Sequence, residues 1–146
     1  MSWLPKKLVV VPHDFSDLAD QALDEALQMV SDPTHVHVVH VLPPLEPTEP
    51  GVIWKTVDDA GRIRHATNAL GERLADSRYQ GVQLHVMIGS AGDEIAEYAS
   101  RAGAELIVVS SHGRSVLSRV LIGSVADRIV RLAPCPVLVL RRPRRG

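Results

Sequence analysis

Two stretches in the last third of the chain carry residue types that hold an anion. Ser110-Ser111-His112-Gly113 leaves an apolar run, and Gly123-Ser124 opens the next helical pattern after nine intervening residues. Glycine lets backbone approach a ligand closely, and a helix N-terminus offers unpaired N–H groups with partial positive charge. Ser124 adds a hydroxyl for a phosphate oxygen, and Arg114 and Arg119 add charge, so the set reads as a phosphate cradle. Taken alone, a Gly-Ser pair ahead of a helix is equally a turn and an N-cap. No G-x-x-x-x-G-K-[ST] occurs, and no G-x-G-x-x-G follows the first strand, so two common phosphate loops are absent from the sequence. Asp14, at the end of an apolar run, suits a ribose hydroxyl or Mg2+, and suits equally a hydrogen bond to the turn that follows it. His112 is in reach of a phosphate on the same logic. His35 and His37 share one face if both lie in a strand, but no third ligand stands nearby for a metal. No carboxylate pair, Ser-His-Asp order or G-x-S-x-G is present. Hydrolysis of a bound phosphate compound would rest on Mg2+ and backbone positioning, with no evident residue to orient water. These residues describe a binding protein better than an enzyme.

The elements that must position them follow from periodicity. Leu8 to Val11 and Leu106 to Val109 are continuous apolar runs, the pattern of strands covered on both faces. His35 to Leu42, Val82 to Ile88 and Pro136 to Leu140 supply three more. Helices are expected from an N-cap at Ser16 to Asp32-Pro33, from about Trp54 to Arg78, from a capping box at Ser90 to Asp93 onward, and from Ser124 to Leu132. Pro43 to Gly51 holds four prolines and reads as a loop. Strand alternating with helix predicts one α/β domain over 1–146, a mainly parallel sheet with helices on both faces. In such sheets ligands sit beyond the carboxyl ends of the strands. Here that selects His13 and Asp14, Val41 to Pro44, and Ser110 to Gly113.

Composition sets limits. The 146 residues are about one domain, 45% hydrophobic and 23% charged, with five aromatic residues. Few rings argue against a base-stacking surface for single-stranded nucleic acid. The formal charge of −1 conceals a gradient. Residues 1–100 hold seven basic and fifteen acidic side chains, net −8, and residues 101–146 hold nine Arg, Glu105 and Asp127, net +7. Cys135 is the sole cysteine, which permits no intrachain disulfide; between two prolines in a hydrophobic strand it reads as a buried thiol. No signal-peptide core or membrane-length apolar stretch is visible, so a cytoplasmic location is expected. Arg141, Arg142, Arg144 and Arg145 form a basic tail, read first as solvated and second as a contact for an acidic partner.

Several motifs in order carry a resemblance. Val11-Pro12-His13-Asp14-Phe15-Ser16, Gly89-Ser90-Ala91-Gly92-Asp93-Glu94-Ile95, Gly103 to Val109, Ser-Ser-His-Gly-Arg at 110–114, Gly123-Ser124 and Ala133 to Leu140 together resemble the universal stress protein family, over essentially the whole chain. The resemblance implies an open five-stranded parallel sheet of order 3-2-1-4-5, of the adenine-nucleotide alpha-hydrolase-like type. It also implies an adenine nucleotide in some members, marked by G-x-x-G, nine residues and G-[ST]. Gly113, Gly123 and Ser124 fit the second half of that pattern, and Ser110 stands where its first glycine is expected. By this resemblance Asp14 lies near the adenosine, Pro12 and the Val41 backbone at the adenine, and Val109 along the base. The amides around Gly113, Arg114, Ser124 and Val125 hold phosphate. ATP, ADP or AMP, with or without Mg2+, is the implied ligand, and a stress-response sensor or switch the implied role. A nucleotide-free interaction module and a slow ATPase are the alternatives. The resemblance further implies a homodimer through the C-terminal strand, with no membrane and no evident nucleic-acid partner.

Overall fold

A computed structural model describes residues 2–46, 48, 58–112 and 122–141. Five strands, β1 (Val9–Pro12), β2 (Val36–Leu42), β3 (Gln83–Ile88), β4 (Leu106–Ser110) and β5 (Val137–Leu140), form one parallel sheet of order β3-β2-β1-β4-β5. Four helices connect them: α1 (Asp17–Leu27), α2 (Asp59–Arg73), α3 (Ala91–Ala102) and α4 (Ser124–Leu132).

The apolar runs divide by parity between two cores. Val9, Val11, Val36, Val38, Leu106 and Val108 point to one face, where Ala22, Leu23 and Ala26 of α1 and Leu70 of α2 cover them. Val10, Val39, Ile107 and Val109 point to the other, against Ile95 and Ala99 of α3 and Ala126 and Ile129 of α4. Two covered faces explain why β1 and β4 are apolar at every position rather than at alternate ones.

Local signals set most helix ends. The Ser16 hydroxyl accepts from the Ala19 amide at the start of α1, and Gly103 closes α3 in the left-handed conformation at φ 72°. Asp58 caps α2 by accepting from the Gly61 amide at 2.6 Å, and a Cβ on Gly61 would lie 2.8 Å from that carboxylate oxygen. The glycine that looks like a defect in the helical pattern makes room for the cap.

Four expectations change. Helix α1 ends at Leu27, short of Asp32-Pro33, because the chain turns to place Lys6 beside Val30 in an isolated parallel bridge. Asp32 instead caps a 3-10 turn over Pro33–His35, accepting from the Thr34 amide, so His35 precedes β2 rather than lying in it. Helix α2 spans Asp59–Arg73 and stops well before Arg78, while the Trp54 end of that expectation lies outside the described residues. Ser90 stands at the N-cap position of α3 but its side chain makes no capping bond, so the expected capping box does not form.

Candidate functional site

The strand order reverses between β1 and β4. A cleft of about 310 Å3 opens there, beyond the carboxyl ends of the strands. Pro12 at the end of β1, His13 and Asp14 after it, Val41 in β2, Val109 and Ser110 in β4, and Gly123, Ser124 and Val125 around the start of α4 all line it. These nine residues, all singled out in the sequence, thus meet in one place. Gly113 and Arg114 lie outside the described residues, as does Arg119. Val39, His40, Ala91, Ile95, Ser111, His112 and Ala126 complete the lining.

One wall is the turn 13–16. The His13 ring is fully enclosed, with Nδ1 accepting from the Phe15 amide at 2.9 Å and Nε2 2.8 Å from Asp20 Oδ1. An acceptor at Nδ1 places the proton on Nε2, which donates to Asp20. Burial holds the His13 pKa below the ordinary histidine value, against the pull of Asp20 and Asp14. For Asp20 burial works against ionisation, but hydrogen bonds from Arg73 and His13 outweigh it and hold the carboxyl below its ordinary range. Arg73 grips Asp20 through Nε and Nη2, the latter at 2.8 Å, and reaches Asp17 at 3.2 Å. Phe15 sits at φ 66°, uncommon for a side chain of this size. Asp14 Oδ1 accepts from the Ser16 amide and hydroxyl, so the turn-making role weighed for Asp14 is present. Its Oδ2 makes no hydrogen bond among the described residues, and the residue lines the cleft.

The opposite wall joins β4 to α4. The Ser111 amide donates to Leu140 at 2.8 Å, and the Gly123 amide donates to the Ser111 carbonyl at 2.6 Å. A Cβ on Gly123 would stand 2.9 Å from that carbonyl oxygen, so glycine is needed for contact, not for its φ of −64°. Gly123 at the N-cap position has no side chain to cap α4, and Gly123, Ser124 and Val125 at that helix N-terminus line the cleft. Ser110 is an ordinary strand residue without positive φ, nine-tenths buried, and its hydroxyl makes no hydrogen bond among the described residues. His112 is buried too; its Nδ1 lies 3.1 Å from the Ser111 hydroxyl, and its Nε2 has no partner. Among the described lining residues there is no Lys or Arg, and Asp14 is the lone carboxylate.

His40 is the lining residue that sequence reasoning missed with most chemical content. Its Nδ1 donates to the His13 carbonyl at 2.6 Å, and its ring meets Phe15 edge-on at 4.7 Å. Its position one residue before Val41 at the end of β2 was the available signal. Ala91 and Ile95 reach the cleft because α3 begins beside it.

Other candidates lie elsewhere. His37 stacks on His85 at 5.3 Å, and its Nδ1 lies 2.6 Å from the Tyr98 hydroxyl, on the α3 side of the sheet. Burial lowers both histidine pKa values, and each ring lies away from the cleft. Among the described residues no three His, Cys, Asp or Glu side chains gather as a metal site. Cys135 is half-buried, and burial pushes its thiol pKa up. No helix among them is long and apolar enough to cross a membrane.

A parallel sheet whose strand order reverses beside a cleft, walled by a strand-one turn and a helix N-terminus, places the chain among the doubly wound α/β proteins. Residues 6–141 match the model of the universal stress protein family, and the chain belongs to that family. Universal stress protein MJ0531 of Methanocaldococcus jannaschii is 30% identical over 145 residues, covering 95% of this chain and 84% of that one. Among solved structures, universal stress protein UspA from Lactobacillus plantarum superposes with a TM-score of 0.72 at 26% identity, covering 92% of this chain and 97% of that one. Two further structures share the fold. A universal stress protein in complex with cAMP has a TM-score of 0.65 at 22% identity, covering 94% and 98%. The protein from Archaeoglobus fulgidus in complex with dAMP has 0.57 at 23%, covering 94% and 100%.

Proposed function

We propose that this universal stress protein binds an adenine nucleotide, ATP in the first instance, in the cleft at the sheet's switch point, and acts as a stress-response switch rather than as an enzyme. One observation carries the reading: Asp14 and the N-terminal residues of α4, which has a glycine at its N-cap, line the same cleft of about 310 Å3. An adenosine sugar fits the first and a phosphate chain the second. Val41, Val109 and Ile95 supply an apolar wall for the base. Nucleotide complexes of two proteins of the same fold add support. Ser110 takes the place of a glycine without strain, so its hydroxyl serves as a ligand contact in this reading. Mg2+, where it accompanies ATP, would be held by the nucleotide's own phosphates. The described lining offers no second carboxylate to build a metal site from protein alone.

Switching by a binding protein needs an output, and β5 is the surface proposed for it. It is the edge strand of the sheet, with Leu138 37% exposed, and pairing with a second copy would cover both its backbone and that side chain. A cytoplasmic homodimer is therefore part of the proposal.

A second reading, a nucleotide-free dimeric interaction module, is favoured by the absence of Lys and Arg from the described lining. Mass spectrometry of the purified, denatured protein separates the two. Released ATP, ADP or AMP supports the first. No co-purifying nucleotide, with no calorimetric heat from millimolar ATP, ADP or AMP with and without Mg2+, refutes it and leaves the second.

A further inference from the structure

Asp20 and Arg73 lie outside the cleft, yet they end a chain of contacts that begins on its wall. We infer that Asp20 and Arg73 are positioning residues for Asp14: acting through the buried ring of His13, they hold the turn that presents the Asp14 carboxylate, and only while His13 is neutral. This deepens the nucleotide reading and rests on it for its ligand, though not for its structural half.

The argument is one of donors and acceptors. His13 makes two side-chain hydrogen bonds of fixed polarity, accepting from the Phe15 amide at Nδ1 and donating to Asp20 at Nε2. The neutral Nε2–H tautomer satisfies both. A proton on Nδ1 sets two N–H groups against each other and removes the one hydrogen bond that the Phe15 amide makes. Phe15 holds an uncommon left-handed conformation, so it depends on such a bond more than an ordinary turn residue does. Asp14 precedes it and Ser16, which holds Asp14 Oδ1, follows it. Release of Phe15 therefore releases the carboxylate. The ring itself has nowhere else to go. Asp20 fixes its far edge, Arg73 and through it Asp17 fix Asp20, Phe15 stands edge-on to it, and His40 binds the His13 carbonyl. The charged and titratable groups around His13 are thus Asp14 on the turn, Asp20 and Asp17 on α1, Arg73 on α2 and His40 on β2. Burial favours the neutral ring at neutral pH.

The test has a ligand-free arm and a ligand arm, both on the full chain. In nitrogen-15 spectra of the unliganded protein, His13 should show a protonated Nε2 and a bare Nδ1 near pH 7.5. The Asp14, Phe15 and Ser16 amide signals should then move with the same midpoint as the His13 ring on acidification. Those amides staying still as the ring titrates, or the opposite tautomer, would overturn the inference whether or not any nucleotide binds. For the ligand arm, cyclic AMP is the probe, because its phosphodiester keeps one charge across the range. Its Kd should rise about tenfold per pH unit below the His13 midpoint. His13→Asn places an Oδ1 acceptor where Nδ1 was and does not titrate, so its Kd should be nearly flat with pH. A variant that keeps the full acid loss would assign that loss to another group and sink the coupling. Asp20→Ala should raise Kd by about fivefold at pH 7.5, and Asp20→Asn, which restores an acceptor for Nε2–H, should recover most of it. Equal loss in both Asp20 variants would exclude the hydrogen bond as the positioning element. Failure of cyclic AMP to bind at any pH, with the turn titrating as expected, would count against the nucleotide reading and leave the positioning intact.

Discussion

Gly123→Ala tests whether the end of β4 and the start of α4 form one wall of the cleft. The backbone of Gly123 has φ −64°, which alanine adopts freely, so the cost comes from contact alone. The added Cβ would stand 2.9 Å from the Ser111 carbonyl oxygen, and that neighbour is backbone, unable to swing aside. Relief requires the two segments to part by a few tenths of an ångström. The bond between them, the Gly123 amide to the same oxygen at 2.6 Å, then lengthens. Overpacking of this kind costs about 1–3 kcal/mol, and a weakened hydrogen bond adds about 1 kcal/mol at most. At about 2–4 °C per kcal/mol for a chain of this size, the melting temperature should fall by about 5–10 °C. Because the same shift carries the α4 amides away from the β4 end, nucleotide Kd should rise by about tenfold, the equivalent of about 1.4 kcal/mol. Calorimetric melting and titration with ATP read the two effects in one sample. A variant that melts within a degree of the parent and binds equally would refute the close contact and the shared wall with it.

Gly71→Ala should do the reverse. It lies inside α2 with nothing within 4 Å of an added Cβ, so the gain in helix propensity should stabilise by up to about 1 kcal/mol, read as a higher melting temperature. Ser110→Gly should weaken ATP binding by about fivefold through loss of an unpaired hydroxyl in the cleft. Tighter binding would show that the side chain obstructs. Tyr79 is buried with its hydroxyl donating to Asp24 at 2.7 Å, and burial, with that carboxylate, pushes its pKa up to about 12. A raised pKa makes its contribution whole below the unfolded value and lost as pH rises through the folded one. Stability should therefore fall between about pH 10 and about pH 12, and Tyr79→Phe should remove that slope while lowering neutral stability by about 1 kcal/mol.

What was legible in the sequence was local. Val9 to Val11 and Leu106 to Val109 declared strands covered on both sides because no position in either run is polar. Ser124–Leu132 was read to the residue because Gly123 and Ala133-Pro134 punctuate it. Ser90 shows the limit of a capping pattern: the spacing is right, but the side chain makes no capping bond in the fold. Asp32-Pro33 shows another, since the same pair that stops a helix also starts a 3-10 turn. At the cleft, Asp14, Ser110 and Gly123-Ser124 announced themselves by type and by place at element ends. His40, Ala91 and Ile95 did not, because they come from neighbouring βα units whose contribution depends on where the sheet sets them. Arg73 was beyond reach for the same reason: it meets Asp20 across 53 positions, and no local pattern encodes that pairing.

The charge gradient has a structural answer in part. Of the nine arginines that make the last third cationic, Arg101, Arg128 and Arg131 pair with Glu97, Asp93 and Asp127 on or between helices α3 and α4. These exposed pairs contribute little stability each, but they neutralise charge where it stands. None of the three lines the cleft. In the nucleotide reading, the cleft's described wall would therefore meet the phosphates with backbone amides rather than with fixed cations. Amides at a helix N-terminus carry partial charges that need no counterion when the site is empty. The gradient in the sequence pointed to arginine as the anion's partner. In the nucleotide reading, the geometry moves that role to the amides at the start of α4.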